Sequence, residues 1–262
     1  MTRPDSNREA YAAQGFELLA LNEHFVLINK AAGIGFHDEV EGQNQTIRQL
    51  GLFNRVQQCL LEDKLIDQPL FPLHRLDKGT SGLLLLGRRA EVARELGEAF
   101  SQGRVQKYYL ALSKHKPKKK QGAVKGGMQK ARRGAWRLTS GKDNYAHSQF
   151  FSRGLGQGYR LFLWRPRTGK THQLRVAMKS LGSPILGDAL YGCQEAIENS
   201  AGFYLHAYQL AFHLAGNDYC FQCDPMSEDR AFPWLLPDST PNGECELALE
   251  AFSRPEALSW PV

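Results

Sequence analysis

The chain has 262 residues, 42% hydrophobic and 23% charged with a net charge of +6, the balance of a soluble globular protein with one large core or two small ones. The polar N-terminus, MTRPDSNREAYAAQ, lacks the apolar run of a secretory signal, and the longest purely aliphatic stretch, Leu83 to Leu86, is far short of a membrane span. The expected setting is therefore the cytoplasm, with no membrane partner, and the five scattered cysteines do not form a disulfide framework.

Residues 1–14 read as a polar tail, and residues 15–262 as one domain. FELLALNEHFVLINKAAG predicts two short strands around a turn at Asn22 and Glu23, ended by Gly33. Residues 44–62 place Ile47, Leu50, Val56, Leu60 and Leu61 at helical spacings. SGLLLLGR predicts a buried strand. AEVARELGEAFSQG predicts a helix with Val92, Leu96 and Phe100 on one face and a stop at Gly103. RVQKYYLALS then alternates like a strand.

Next comes a basic, insertion-like segment, residues 113–142. From Arg104 to Lys142 there are thirteen Lys or Arg and no acidic residue, whereas the rest of the chain has 20 basic against 27 acidic residues. A basic segment on an otherwise acidic protein is the footprint of a polyanion, because each neutralised phosphate releases condensed counterions. Trp136, Gly126 and Gly127 suggest a structured surface that stacks bases or approaches a backbone closely, rather than a solvated lysine loop.

NYAHSQFFSR and GYRLFLWRPR predict two further strands. THQLRVAMKSLG predicts a helix capped by Thr171, striped by Leu174, Ala177, Met178 and Leu181, and ended by Gly182. FYLHAYQLAFHL and DYCFQC add two strands, and the Pro- and acid-rich segment 225–262 is expected to wrap back along the surface. Strand pairs on short turns with a few helices give an α+β fold, a mainly antiparallel mixed sheet flanked by helices and loops.

One acid stands out in LHRLDKGTSGLLLLGR: Asp77, between Arg75 and Lys78 and ahead of four small residues. It could be a structural ion pair, a phosphate acceptor, a metal ligand or a nucleophile at carbon. Two familiar motifs fail nearby. RPRTGKTH has Trp164 where a phosphate-binding loop needs glycine, and in DKGTSG the apolar strand follows the Asp instead of preceding it as in a phosphorylated-aspartate pump. No metal is expected: Cys220 and Cys223 lack a second ligand pair and read as packing residues, and His74, His172 and His206 are spaced for structural hydrogen bonds. A sugar hydrolase would require a second catalytic carboxylate near the first, and none is apparent.

In combination these segments resemble the RluA-type RNA pseudouridine synthase family. NEHFVLINKAAGIGFH is similar to its opening strand pair, with Ala31 where the family has proline. HRLDKGTSGLLLLGR is similar to its His-Arg-Leu-Asp-x-x-Thr-Ser-Gly motif, VQKYYLAL to its Lys-x-Tyr-x-Ala strand, RTGKTHQLRVAMKSLGSPILGDALYG to its Thr-His-Gln-Leu-Arg segment, and LHAYQLAF to its closing strand. The resemblance implies isomerisation of uridine to pseudouridine in ribosomal RNA or tRNA by a monomer without cofactor or metal, in an active-site cleft across the sheet. It makes Asp77 the nucleophile, at ribose C1′ or uracil C6. Tyr109 becomes the active-site tyrosine, with Tyr108 on the opposite strand face a packing residue, and Arg175 the arginine that pairs with the acid.

It further implies that Arg75 holds the flipped nucleotide, Lys107 touches phosphate, Leu174 packs on the uracil, and Thr80 and Ser81 fix the loop. His74 and His172 join the RNA-binding set. The chain is expected to lack the small N-terminal RNA-binding domain of many relatives. Lys118, Lys119, Lys120, Arg132 and Arg133 of the basic segment are expected to grip RNA in its place.

Overall fold

The computed structural model describes residues 7–41, 46–192, 202–227, 231, 234 and 242–262. The chain divides into two compact units. The first is Met1–Gln106 with Ala207–Pro233, and the second is Lys107–His206 with Trp234–Val262.

The first unit opens with α1 (Arg8–Ala13), β1 (Phe16–Leu21) and β2 (Phe25–Lys30). The turn between the strands is set by Asn22, whose side-chain oxygen accepts the N–H groups of His24 and Phe25. A two-stranded ladder, β3 (Glu39–Glu41) and β4 (Thr46–Gln49), precedes α2 (Leu52–Glu62). Residues 44–62 are thus not one helix. Ile47 sits on β4 and is 53% exposed, Leu61 is also exposed, and Val56 and Leu60 with Leu52 form the buried face of α2. A short apolar run cannot be assigned to strand or helix by spacing alone.

Two-residue β5 (Phe71–Pro72) leads to β6 (Ser81–Gly87), which is buried along its whole length. β6 pairs antiparallel with β2, Phe25 opposite Gly87 through Lys30 opposite Gly82. Its four leucines and Phe25 to Ile28 are essentially sealed from water, at about 1.5–3 kcal/mol per side chain. α3 (Ala90–Ser101) packs on β6 and buries Val92, Leu96 and Ala99, and the chain leaves it through Gly103 at φ 69.

The second unit contains β7 (Gln106–Ser113), β8 (Gln121–Lys130), β9 (Trp136–Thr139), β10 (Ala146–Gly154) and β11 (Arg160–Pro166). They hydrogen-bond in the order β7, β11, β10, β8, β9, all antiparallel. The basic segment is therefore built on a hairpin, β8 and β9. The two glycines are explained by that pairing: a Cβ on Gly126 would meet the Thr139 carbonyl at 2.6 Å, and one on Gly127 the Thr139 hydroxyl at 2.7 Å. Trp136 is half-buried against Met128, Ala146, Val176 and Tyr191, a packing role in place of the expected open stacking surface.

α4 (Gln173–Ser180) follows. Thr171 does not cap it. The capping position is His172, in the left-handed region at φ 57, and Gln173 fixes the entry. The Gln173 carbonyl accepts from the Thr168 hydroxyl and the Lys170 N–H, and its amide donates to the His147 carbonyl and the Ser148 hydroxyl. Six consecutive residues, Gln173 to Met178, are buried, so the helix is enclosed on more than the one predicted stripe.

β12 (Leu205–Leu214) and β13 (Asn217–Gln222) form an antiparallel pair, and residues 207–222 belong to the first unit. Cys223 is buried after β13, but Cys220 is exposed on it and accepts from Gln209, so only one of the two thiols is a packing residue. The C-terminal stretch is more than a surface wrap. α5 (Asn242–Glu250) packs on β10, Trp260 packs on Tyr108 and Phe151, and Gln149 donates to the Pro261 carbonyl at 2.6 Å. Antiparallel ladders with a few packed helices are the α+β class that the strand and helix pattern predicts. Among the described residues no helix is long and apolar enough to cross a membrane.

Candidate active site

In the first unit, the segment from His74 to Ser81 passes from an open surface into the core. Arg75 and Lys78 are exposed, Asp77 is half-buried, and Leu76, Thr80 and Ser81 are buried. His74 makes the kind of structural hydrogen bond expected of it, beside its expected place in the RNA-binding set. Its Nε2 accepts the Leu85 N–H at 3.0 Å, just past the end of the β5–β6 pairing, and its ring stacks on Phe100. Lys78 is tied at 2.6 Å to Glu39.

Asp77 sits on a tightened turn. The Thr80 N–H donates to the Asp77 carbonyl at 3.0 Å, and the Gly33 N–H to the Lys78 carbonyl at 2.8 Å. Behind this turn lies Lys30, fully buried at the end of β2. Its Nζ donates to the carbonyls of Ala31 (2.7 Å), Lys78 (3.2 Å) and Thr80 (2.8 Å). Three donors meeting three carbonyl oxygens use the full capacity of an ammonium group. Burial pushes the Lys30 pKa down to about 7, and the Asp77 charge works the other way. Sequence reasoning missed this residue. Its signal was a lysine, the one charged residue of FVLINK, at the close of that strand.

After Asp77 the chain must turn sharply into β6. Gly82 does this at φ +105, with the Ala207 main chain so close that a Cβ would stand 2.6 Å from its nitrogen and nearer still to its oxygen. The turn and the strand together hold the carboxylate on a rigid base.

In the second unit, β7 presents Tyr108 and Tyr109 to opposite faces. Tyr108 is buried against Trp260 and Arg165, in keeping with a packing residue, and Tyr109 is half-buried opposite Trp164 of β11. Burial pushes the Lys107 ammonium pKa down.

Arg175 is 7% exposed on α4 and forms a two-bond pair with buried Asp188, Nε to Oδ2 at 2.7 Å and Nη2 to Oδ1 at 2.9 Å. The rings of Tyr191 and Phe203 lie 4.9 and 4.5 Å from its guanidinium carbon. A planar guanidinium held by a fork and flanked by rings has one orientation. Sequence reasoning did not name Asp188 as a partner, although the residue lies in the quoted GDALYG. Leu174 is buried beside Arg175. His172 Nδ1 is 2.9 Å from the Tyr191 hydroxyl.

Lys118, Lys119, Lys120, Arg132 and Arg133 are all exposed. Arg132 and Arg133 lie in the turn between β8 and β9, with Arg133 at φ 56. Lys120 instead lines a separate cavity of about 570 Å³ with Arg153, Arg160, Phe151 and Phe252.

The structure thus assembles two half-sets of the expected residues. The first unit holds Asp77 on a loop with Thr80 and Ser81, fastened by Lys30. The second holds Arg175, Leu174 and His172 on or next to α4, with Tyr109 on β7. No group of three or more His, Cys, Asp or Glu among the described residues is arranged to hold a metal ion.

Comparison with known proteins converges on one activity. A family described as RNA pseudouridylate synthase matches residues 24–180. A Haemophilus influenzae protein named as an uncharacterized RNA pseudouridine synthase is 47% identical, over 80% of this chain and 87% of its own length. Ribosomal large subunit pseudouridine synthase D of Borreliella burgdorferi is 29% identical, over 76% of this chain and 61% of its own. The solved structure of human RNA Pseudouridylate Synthase Domain Containing 1 shares the fold, with a TM-score of 0.63 at 21% identity, covering 91% of this chain and 96% of that one.

Proposed function

The chain belongs to the RNA pseudouridylate synthase family of RNA isomerases, and on that premise we propose that it converts specific uridines of ribosomal RNA or tRNA to pseudouridine with Asp77 as nucleophile. The observation that carries the assignment of Asp77 is its seat: a half-buried carboxylate on a turn whose carbonyls are gathered by the buried Lys30 ammonium. A nucleophile that must attack one atom of a bound nucleotide gains most from such a fixed base, because orientation is the entropy that need not be lost at the reacting step.

The reaction is an isomerisation and needs no co-reactant. The N1–C1′ bond of uridine breaks, a C5–C1′ bond forms, the proton leaves C5, and N1 gains one. Asp77 makes this possible by adding to ribose C1′, which releases the base, or to uracil C6, which loosens it. Tyr109 supplies a ring against which the uracil stacks and a phenol for the proton at C5. Arg175 is the catalytic arginine. The nucleotide reaches the site flipped out of its stack, at a cost of a few kcal/mol that Arg75 helps to offset. Thr80 and Ser81 keep the loop in place, Leu174 packs on the base, and Lys107 meets phosphate. The exposed cations of the basic segment grip RNA. The working form is a cytoplasmic monomer.

The test uses transcripts of large-subunit ribosomal RNA and of tRNA carrying tritium at uridine C5, since C-glycoside formation releases that label into water. Wild-type enzyme is expected to release it from one of these transcripts, and Asp77→Asn to release none. Release that survives the substitution would remove Asp77 from the central role.

A further inference from the structure

Tyr191 touches three parts of the second unit at once. Its hydroxyl accepts the Trp136 main-chain N–H at 2.8 Å and lies 2.9 Å from His172 Nδ1. Its ring lies beneath the Arg175 guanidinium and near the Lys179 ammonium. A phenol oxygen that already accepts one N–H has its own proton left to give. Which of the two groups donates in the contact with Nδ1 is set by the imidazole tautomer.

Each contact has a functional address. Trp136 opens β9, directly after the turn that carries Arg132 and Arg133. His172 is held at φ 57, a left-handed conformation that a residue with a Cβ keeps only when its surroundings fix it. The bond to Tyr191 is one such fixture, and α4 starts from this residue. Arg175 follows three residues later, its fork on Asp188 and its plane against Tyr191 and Phe203. One hydroxyl and one ring therefore connect the basic hairpin, the start of α4 and the guanidinium, with every polar link at 2.9 Å or less.

We propose that Tyr191 is a positioning residue that couples RNA docking on the β8–β9 hairpin to the setting of Arg175. The coupling rests on the reading that the hairpin grips RNA and that Arg175 is catalytic. RNA held by Arg132 and Arg133 steadies β9. Through the Trp136 N–H, β9 holds the Tyr191 hydroxyl in place, and Tyr191 in turn holds His172 and the guanidinium plane. Coupling of this kind runs through contiguous contacts, and it shows itself as a free energy shared between two sites.

The experiment is a double-mutant cycle on the full chain, read by tritium release from the labelled transcripts. Tyr191→Phe keeps the ring under Arg175 and removes both hydroxyl bonds. The hairpin variant combines Arg132→Gln with Arg133→Gln. Tyr191→Phe alone is expected to lower kcat about fivefold or more, exceeding any rise in KM. Added to the hairpin variant it is expected to change little, because the docking signal it relays is already gone.

Losses that multiply across the cycle overturn the coupling, as does a Tyr191→Phe enzyme with wild-type kinetics. Should Tyr191→Phe fail to fold, the nitrogen resonances of His172 in the wild-type chain decide the matter. RNA is expected to shift Nδ1, and not to do so in the hairpin variant; an unmoved resonance on RNA binding overturns the coupling. Failure of the underlying reading looks different. Wild type would then release no tritium, or Arg175→Lys would leave the saturated rate unchanged, and either result removes the reading and the coupling with it.

Discussion

The ammonium of Lys30 donates at 2.8 Å to the main-chain oxygen of Thr80, three residues past Asp77, from within a strand whose register sets Lys30 directly opposite Gly82. The same nitrogen reaches the carbonyls of Ala31 and Lys78, so one buried side chain binds the opening turn to the loop that bears the carboxylate. Lys30→Met fills a similar volume and donates nothing. Three carbonyls lose this donor, although the Lys78 oxygen keeps the Gly33 N–H, and each buried polar group left unsatisfied costs roughly 1–3 kcal/mol, offset in part because the buried charge has gone. The saturated rate of tritium release is expected to fall about tenfold or more with KM little changed, because, in the role proposed for Asp77, a displaced carboxylate slows the chemical step. A wild-type rate would show that the Gly33–Lys78 hydrogen bond suffices to hold the loop.

The same residue predicts a pH dependence of stability. Its folded pKa, about 7, lies below the ordinary lysine value of 10.5. Between these values the unfolded chain carries a proton at this site that the folded chain lacks. Stability therefore rises with pH across that window, by at most about 1.4 kcal/mol per pH unit from this group. Below pH 7 both states are protonated and the contribution levels off at its lower value. Denaturant titrations from pH 7 to 10 are expected to show the rise in wild type and a smaller one in Lys30→Met. Equal slopes in the two proteins would dismiss Lys30 as its source.

The four leucines of β6, the alternation of β7, and the glycine after α3 were legible because burial and local backbone demands are written into consecutive residues. The turn that follows Asp77 was legible in the same way, because its small residues are consecutive. Lys30 was not legible, since its partners are carbonyl oxygens, which the sequence does not spell. Nor was Asp188 as the fork beneath Arg175, a pairing made by the fold thirteen residues along. Ile47 lies at helical spacing from the residues of α2 although β4 ends at Gln49, because spacing cannot separate so short a strand from the helix that begins at Leu52. Gly126 and Gly127 were noticed for the right property, close backbone approach, but the approaching backbone is their own partner strand.

Gly82 predicts a sharp steric limit. At φ +105 any side chain is strained, and a Cβ there would meet the Ala207 main chain from its nitrogen to its oxygen. Because the obstruction is backbone in a paired strand, it cannot rotate away as a side-chain tip could. Gly82→Ala is expected to destabilise the protein by about 3 kcal/mol or more, beyond an ordinary surface substitution. Chemical denaturation measures this directly. A loss below about 1 kcal/mol would mean that β12 yields at Ala207.

Asp188 and Arg175 are both buried, and removing one partner strands the other. Asp188→Ala is expected to cost about 3–5 kcal/mol, because an unpaired guanidinium remains in a dry site. Asp188→Asn keeps the shape and one acceptor but offers an N–H to a group that only donates. It should fold, with a lower melting temperature and a reduced saturated rate. If Asp188→Asn matched wild type in both, the ring contacts of Tyr191 and Phe203 would be sufficient to orient Arg175.

The basic hairpin predicts a salt dependence. Lys118, Lys119, Lys120, Arg132 and Arg133 are exposed on and around it, but Lys120 lines a cavity with Arg153 and Arg160 instead of joining the hairpin turn. Each phosphate contact removed lowers the magnitude of the slope of log K against log salt by about 0.7 for single strands to 0.9 for duplex. Neutralising all five to Gln is therefore expected to flatten the slope for RNA by up to about 3.5 to 4.5, with affinity lost at low salt. Binding titrations from low to moderate salt, with the labelled transcripts as ligand, read this out. Restoring Arg132 and Arg133 alone should recover more than restoring Lys120 alone, because the turn that bears them leads straight into Trp136 and the Tyr191 hydroxyl. A slope unchanged by the five substitutions would move the RNA grip off the hairpin altogether.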